Sequence, residues 1–413
     1  MALILLSGFV FSYLLSALLA VDIKRALFVL VFTIFVVLIA LSVSVSWGPV
    51  SKKYVDRSLL IITWVVVLFG FYQYFGDLLG FSTAVTGLRD LYTKNVFGFP
   101  RIQSTGLEPL YYANFLLLPL FYFGAKFING DDEQPYLITL IATQIVLTVS
   151  RGALIAGVVG VVLLLIMTAR RSRYTQGIGF LGLTILGLAL ALNLSNLNFR
   201  KNDNQNQPQP QSQAQAVVSQ ATNLVAQDDR VRNRSLAWSS FMQSPILGIG
   251  PGNFNQYARS QFPVYGSLPG YLIVNNEPLE LLSEAGIIGF ILFIGFIGLL
   301  FWRIARMAWK EGASEAGIWP VAITAYLVAM AIQYQTFSTL YIMHLWVVIG
   351  IALAITTPGL QSNKLVVESA EEIDVDLIEP KSKHFKKPKP STKPTKKNTH
   401  KSSKSKRKKS PRT

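Results

Sequence analysis

The chain contains no cysteine, few histidines and few charged residues. Without cysteine there is no disulfide, no thiolate metal site and no cysteine nucleophile. Only three histidines occur, two of them in a polar C-terminal tail, which excludes a histidine-rich metal centre. Charged residues make up 15% of the chain, against about 25% in soluble domains. Hydrophobic residues make up 51%, so the composition indicates an integral membrane protein.

The net charge of +16 is concentrated in that tail. From Pro358 onward there are 16 Lys/Arg and 6 Asp/Glu, a balance of +10, which leaves +6 for the rest of the chain. Residues 381–413 have no apolar periodicity, so we predict a membrane domain, 1–357, and a disordered basic cytoplasmic tail, 358–413. Such a tail lies near anionic lipid headgroups or binds an acidic partner, and it does not indicate nucleic-acid binding.

Ten apolar segments approach the roughly 20 residues that a helix needs to cross a bilayer. They are 3–21, 26–46, 59–79, 110–128, 136–150, 152–169, 177–195, 285–302, 317–334 and 339–356. The sequence therefore predicts an all-α polytopic fold with about ten transmembrane helices. The fourth to sixth segments have a re-entrant alternative, and the first lacks the basic start of a cleaved signal peptide.

Basic residues in short loops predict the orientation. Clusters at 52–57, 170–173 and 303–310 fall on the same side as the basic tail, which we assign to the cytoplasm. Lys24 and Arg25 fall on the other side, against this rule. The long loop 196–284 then faces outside. It contains a low-complexity insert at about 202–222, predicted to be disordered, and then a predicted helix from Asp228 or Asp229 through Trp238 to near Pro245.

Two motifs place an arginine beside an apolar segment. Arg101 and Glu108 precede the fourth segment, where an arginine can grip a phosphate or simply anchor the helix through a local ion pair. Arg151 follows Ser150 at the start of the sixth segment, where it is either an anion ligand or a side chain that extends to the lipid surface.

Two further motifs lie in the long loop. Arg230 and Arg234 share one helix face, where their like charges repel unless an anion or an acidic side chain lies between them. The glycine run from Gly248 to Gly252 is not a P-loop and predicts tight turns.

The last motif begins with Asn275 and Asn276 and continues with glutamates at 277, 280 and 284, which fall on one helix face. This face either forms a carboxylate site or is a first turn that the helix dipole favours.

Together these motifs resemble the O-antigen ligase and O-antigen polymerase family of bacterial membrane glycosyltransferases, over about 95–355. The resemblance rests on Ser150-Arg151-Gly152, Arg234, Trp238, the stretch from Pro245 to Phe254, Asn276, Leu279, Glu284 and Gly286-Ile-Ile-Gly289. It implies an all-helical plasma-membrane enzyme that transfers a glycan from a polyprenyl diphosphate to an acceptor sugar hydroxyl at the outer face. No metal or nucleotide cofactor is implied.

The resemblance also implies roles for individual residues. Arg101, Arg151, Arg230 and Arg234 are expected to bind the diphosphate, and Glu284 to line the substrate site. Asn275 stands where many ligases have a histidine proposed as the base, which favours a polymerase over a ligase. We expect Glu277 to be the base, beside Asn275 and Asn276, because Pro278 directs it off the helix. The dipole is expected to lower the basicity of Glu280 and Glu284.

A non-enzymatic protein is the alternative, such as a transporter or flippase of lipid-linked glycan. Transporters usually contain repeated halves and helices broken at mid-membrane. No repeated halves are evident in the sequence, which favours the enzyme.

Overall fold

The computed structural model describes residues 1–89, 100–131, 134–169, 173–205, 230–261 and 272–357, with the backbone alone over 196–205. Within these ranges every regular element is helical. The predicted basic tail and residues 206–222 of the predicted disordered insert lie outside the described residues, and a helix includes 202–205.

Thirteen α-helices and one 3₁₀ turn follow one another along the described part of the chain. They are α1 (Ala2–Leu18), α2 (Ile23–Ser46), α3 (Pro49–Leu78), α4 (Thr83–Thr86), α5 (Pro109–Asn129), α6 (Pro135–Leu147), α7 (Arg151–Ala169), α8 (Tyr174–Gln205), α9 (230–243), α10 (Phe254–Gln261), α11 (Glu277–Glu311), the 3₁₀ turn Glu315–Gly317, α12 (Ile318–Gln333) and α13 (Met343–Thr356).

Each of the ten predicted segments coincides with a helix: α1, α2, α3, α5, α6, α7, α8, α11, α12 and α13. Six of these, α2, α3, α7, α8, α11 and α12, are long and apolar enough to cross a membrane, the last together with its 3₁₀ turn. Helices α1, α6 and α13 are apolar but shorter. The all-α polytopic class is confirmed, whereas the number ten stays a prediction.

Helix α12 is the centre of the bundle, because 72% of its spanning window is buried against 22% for α8. It packs against α5, α7 and α11, while α1 packs against α11 and α2 against α13. Small residues allow close approaches between helices, as in many membrane proteins. A Cβ at Gly350 would meet the Ala40 carbonyl, and one at Gly187 would meet the Thr139 carbonyl.

Helix α11 is broken at Gly286, whose φ of 65° and ψ of −171° interrupt the helical path. Neighbouring chain segments replace the lost backbone hydrogen bonds. The N–H of Ile287 donates to the Pro245 carbonyl at 2.8 Å, and the N–H of Gly250 donates to the Glu284 carbonyl at 3.1 Å. The Ser16 hydroxyl also donates to the Glu284 carbonyl, at 2.6 Å. A broken helix is tolerated in a membrane protein where the freed groups find such partners.

Several helix ends meet at one end of the bundle, which we call the polar end. The Glu277 N–H, at the start of α11, donates to the Tyr334 carbonyl after α12 at 2.9 Å. Gly152, at the start of α7, lies against Gln333 and Thr336. The opposite end is marked by a bond from the Trp319 indole to Asp56 at 2.9 Å.

Candidate functional site at the polar end

The segment from Tyr334 to Thr339, between α12 and α13, holds the start of α11. The Gln335 side-chain carbonyl accepts a hydrogen bond from the Asn276 amide at 3.2 Å. The Ser338 hydroxyl donates to Glu280 and accepts from the Asn275 N–H. Sequence analysis did not single out this segment, although its polar run between two apolar segments was a usable signal.

The two asparagines of the last motif have different surroundings. Asn276 caps α11, because its side-chain oxygen accepts from the Leu279 N–H at 3.0 Å. Asn275 has a φ of 57°, a left-handed conformation that asparagine tolerates better than most residues. Asn276 therefore fixes where the helix begins, and Asn275 turns the chain into it.

Glu277 is the first residue of α11, so the expectation that Pro278 directs it off the helix is wrong. A proline in the first helical turn removes an N–H that would have no helical partner there, so the helix starts before it. The Glu277 side chain is 7% exposed. Its Oε2 atom is buried and accepts no hydrogen bond from the described residues.

The carboxylates of Glu280 and Glu284 each accept two hydrogen bonds. Glu280 Oε2 accepts from the Val274 N–H at 3.0 Å and from the Ser338 hydroxyl. Glu284 accepts from the N–H groups of Gly252, at 2.8 Å, and Phe254, at 3.2 Å. Since Phe254 begins α10, Glu284 supplies the acceptor that a helix start requires.

The glycine run forms the tight turns that the sequence predicted, with positive φ at Gly248, Gly250 and Gly252. Close packing also requires glycine at the first of these, since a Cβ on Gly248 would collide with the backbone of Glu284. The run is therefore a loop that fits the break in α11. The site does not resemble a phosphate cradle of the P-loop kind.

The predicted helix in the long loop is confirmed as α9, and its predicted start at Asp228 or Asp229 lies outside the described residues. Arg234 on α9 donates from Nη2 to the Gln335 carbonyl at 2.8 Å, while its Nε atom is buried and has no hydrogen-bond partner among the described residues. Asn233 donates to the Ile273 carbonyl at 3.0 Å. Arg230, one turn earlier, is exposed.

The other two predicted arginines lie around the junction of α6 and α7. Arg101 Nε donates to the Thr148 carbonyl at 3.1 Å and so satisfies a backbone group at the end of α6. Arg151 is exposed and begins α7. Val149, in the junction between Thr148 and Arg151, has a φ of 52°, a strained conformation for a β-branched residue.

Arg151 and Arg234, from separate parts of the chain, both lie near the C-terminal end of α12. Arg151 comes next to Gly152, which lies against Gln333 and Thr336. Arg234 reaches the carbonyl of Gln335, the residue that also binds Asn276. Gln335 therefore brings Arg234 to Asn276 at the start of α11, and Gly152, next to Arg151, lies close by.

The fold and this site define a polytopic all-α membrane protein with arginines and buried carboxylates at one end of its bundle. Residues 136–294 match the family model of the O-antigen ligase. This match confirms the resemblance over that segment and supports a membrane glycosyltransferase of the O-antigen ligase or polymerase type. No curated protein matches the chain.

Proposed function

We propose that the protein transfers a glycan from a polyprenyl-diphosphate carrier to an acceptor sugar hydroxyl, at the outer face of a bacterial plasma membrane. One observation carries the proposal. Arg234 is fixed through Gln335 beside the start of α11, where Glu277 keeps a buried carboxylate oxygen that accepts no hydrogen bond from the described residues. The segment that matches the O-antigen ligase family contains both residues.

The arginines bind the diphosphate in this proposal. The leaving group is a diphosphate, which carries negative charge on its oxygens. A guanidinium group binds phosphate oxygens through paired hydrogen bonds. Arg234 and Arg151, near the C-terminal end of α12, form the main contacts, and Arg101 and Arg230 supply further positive charge. Positive groups that are fixed before the reaction stabilise charge that develops in the transition state.

Glu277 takes the proton from the acceptor hydroxyl. The acceptor oxygen forms a bond to the anomeric carbon, while the bond from that carbon to the diphosphate oxygen breaks and the diphosphate keeps the electron pair. The proton then passes from Glu277 to water or to the departing phosphate. The amides of Asn275 and Asn276 cannot take this proton, and the Asn276 oxygen is already used as a helix cap.

The resemblance implied that Glu284 lines the substrate site, but its hydrogen bonds point to a structural role. Its two oxygens accept from the backbone N–H groups of Gly252, in the turn before α10, and of Phe254, the first residue of α10. We propose that Glu284 shapes the substrate site by holding that turn in place, and that any contact between Glu284 and the glycan is made beside these bonds.

Reconstitution tests the proposal. The purified protein is placed in lipid vesicles with a polyprenyl-diphosphate-linked glycan, and products are separated by size. A ladder of longer carrier-linked chains is the expected result, since Asn275 replaces the histidine of many ligases and favours a polymerase. Transfer only after a separate acceptor glycolipid is added indicates a ligase. Movement of the intact lipid-linked glycan across the bilayer without transfer would overturn the enzyme and support a flippase.

A further inference from the structure

One face of α9 carries large apolar side chains that are more than half exposed. Val231, Trp238 and Met242 are 64%, 51% and 62% exposed. At about 100° per residue, their spacing places them within about 40° of one another around the helix. We call these three side chains the α9 stripe.

The opposite face of α9 is firmly packed, so the stripe does not result from a detached helix. Leu236 and Ala237 are buried in a small cluster with Phe254, Ala258 and Val274. Helix α9 thus has two apolar faces. One faces the protein and the other faces away from α10 and α11.

Arginines flank the stripe on both sides. Arg230 and Arg234 lie on one flank, and Arg232 lies on the other by the same helical geometry. Arg234 also fixes the height of α9, because it binds the carbonyl of Gln335. Gln335 is two residues beyond the candidate span Glu315–Gln333. Helix α9 therefore lies level with the ends of the membrane-spanning helices.

We propose that α9 is an interfacial helix that lies in the lipid–water boundary at the polar end, with the α9 stripe among the acyl chains of that leaflet. Apolar residues between flanking arginines are typical of helices that lie on a membrane surface. Tryptophan is enriched at this depth, and the arginines match the anionic phosphates of the lipid headgroups. The occupant of the stripe is thus the bilayer leaflet itself.

This placement has a consequence that rests on the proposed function. With the stripe in the acyl region, Arg234 lies at the depth of lipid phosphates. The diphosphate of a polyprenyl carrier in the same leaflet lies at this depth too. The carrier then reaches Arg234 by diffusing sideways within the membrane, and its prenyl chain stays in lipid throughout.

Single-cysteine variants of the full chain test the placement, since the protein has no cysteine of its own. Trp238→Cys and Met242→Cys report on the stripe. Ser239→Cys and Gln243→Cys are matched controls, exposed on the polar flank of the same helix. Each variant is spin-labelled in lipid vesicles, and its collision with oxygen, which concentrates in lipid, is compared with its collision with a water-soluble nickel complex.

We expect labels at 238 and 242 to favour oxygen over nickel by at least several fold, and labels at 239 and 243 to favour nickel relative to them. Nickel access at 238 and 242 equal to that at 243 would put the stripe in water and overturn the proposal. Low access to both reagents would mean that protein covers the stripe, which also overturns it. The experiment needs no substrate, so its result is independent of the proposed reaction.

A second measurement avoids cysteine substitution at the stripe. Vesicles with brominated acyl chains quench tryptophans that lie in lipid, and the wild type is compared with Trp238→Phe. Trp238→Phe lacks the fluorescence that Trp238 contributes to the wild type. If the stripe lies in lipid, the brominated chains quench this contribution in the wild type. If this contribution is not quenched in the wild type, the proposal fails.

Discussion

The three glutamates at the start of α11 differ in the hydrogen bonds that their carboxylates accept. Glu280 and Glu284 each accept two, whereas Glu277 Oε2 accepts none from the described residues. A carboxylate saturated by N–H and O–H donors is a poor acceptor for a further proton. Both bonds to Glu280 go to its Oε2, and Glu284 uses both oxygens, whereas Glu277 Oε2 is buried with no donor among the described residues and is the oxygen that we assign to the acceptor hydroxyl.

Replacing Glu277 by glutamine should lower the rate of glycan transfer by about 10²–10⁴-fold, the usual contribution of a positioned acid–base group. The amide keeps the size of the side chain but cannot take the proton. The rate is measured on reconstituted protein at equal amounts in the membrane. Glu315→Gln is the control, because Glu315 is exposed and lies at the opposite end of α12. Full activity in Glu277→Gln would remove the base from this position.

Arg234→Lys should also lower transfer, by about tenfold or more, although the charge remains. Lysine lacks the planar fork that can bind a phosphate while another nitrogen still donates to the Gln335 carbonyl. Gln243→Ala serves as the control, since Gln243 is an exposed residue of the same helix. Wild-type turnover in Arg234→Lys at normal expression would show that no bidentate contact is made there.

Arg151 is tested in the same assay by Arg151→Ala. Its exposed position at the start of α7 makes fold damage from this change small. We expect a clear loss of transfer if it binds the diphosphate. Unchanged transfer would leave Arg151 with the simpler role of extending from the helix to the lipid surface.

The most unusual element is α11, where the chain bends at Gly286 and a loop fills the break. A Cβ at Gly286 would collide with the Ile246 carbonyl, and its positive φ disfavours any other residue. Gly286→Ala should therefore lower the melting temperature in detergent, because a φ of 65° with a ψ of −171° is essentially restricted to glycine and costs any other residue about 1–3 kcal/mol.

Gly298→Ala is the matched control on the same helix, because a Cβ there would meet nothing within 4 Å. Alanine is favoured over glycine within a helix by about 0.5–1 kcal/mol, so this variant should be as stable as the wild type or more stable. Equal melting temperatures for the two variants would show that the loop yields easily and that the break is not held by close packing.

The sequence predicted the elements well where one local pattern decides them. Apolar runs located ten helices, and the stretch that runs through Trp238 and stops near Pro245 located α9. It failed where distant segments decide the outcome. The break at Gly286 depends on bonds to the chain near Pro245, and the helical start at Glu277 depends on Asn276 and Tyr334. Gln335 and Ser338 were missed because only the fold brings them to the motifs.

At the scale of the whole molecule, contacts between helix ends explain an exception to the charge rule. Asp22, between α1 and α2, donates its N–H to the Asn253 side chain at 2.9 Å. This bond places Lys24 and Arg25 at the polar end, close to the turn that Glu284 holds. Basic residues there lie beside the candidate site, where a positive charge favours an anionic substrate.

The ten-span arrangement is best tested by reporter fusions at three positions. Each fusion reports the side of the membrane on which one helix end lies. Lys126, in the last turn of α5, pairs with Asp131 at 2.7 Å, at the end of this helix that lies away from the polar end. The arrangement predicts that a reporter after Asp131 is cytoplasmic, that one after Gln205 is outside, and that one after Thr357 is cytoplasmic. The fusion after Asp131 decides whether α5 and α6 cross the bilayer, because two re-entrant segments would leave it outside without changing the other two results. The same side for the fusions after Gln205 and Thr357 would exclude the arrangement altogether.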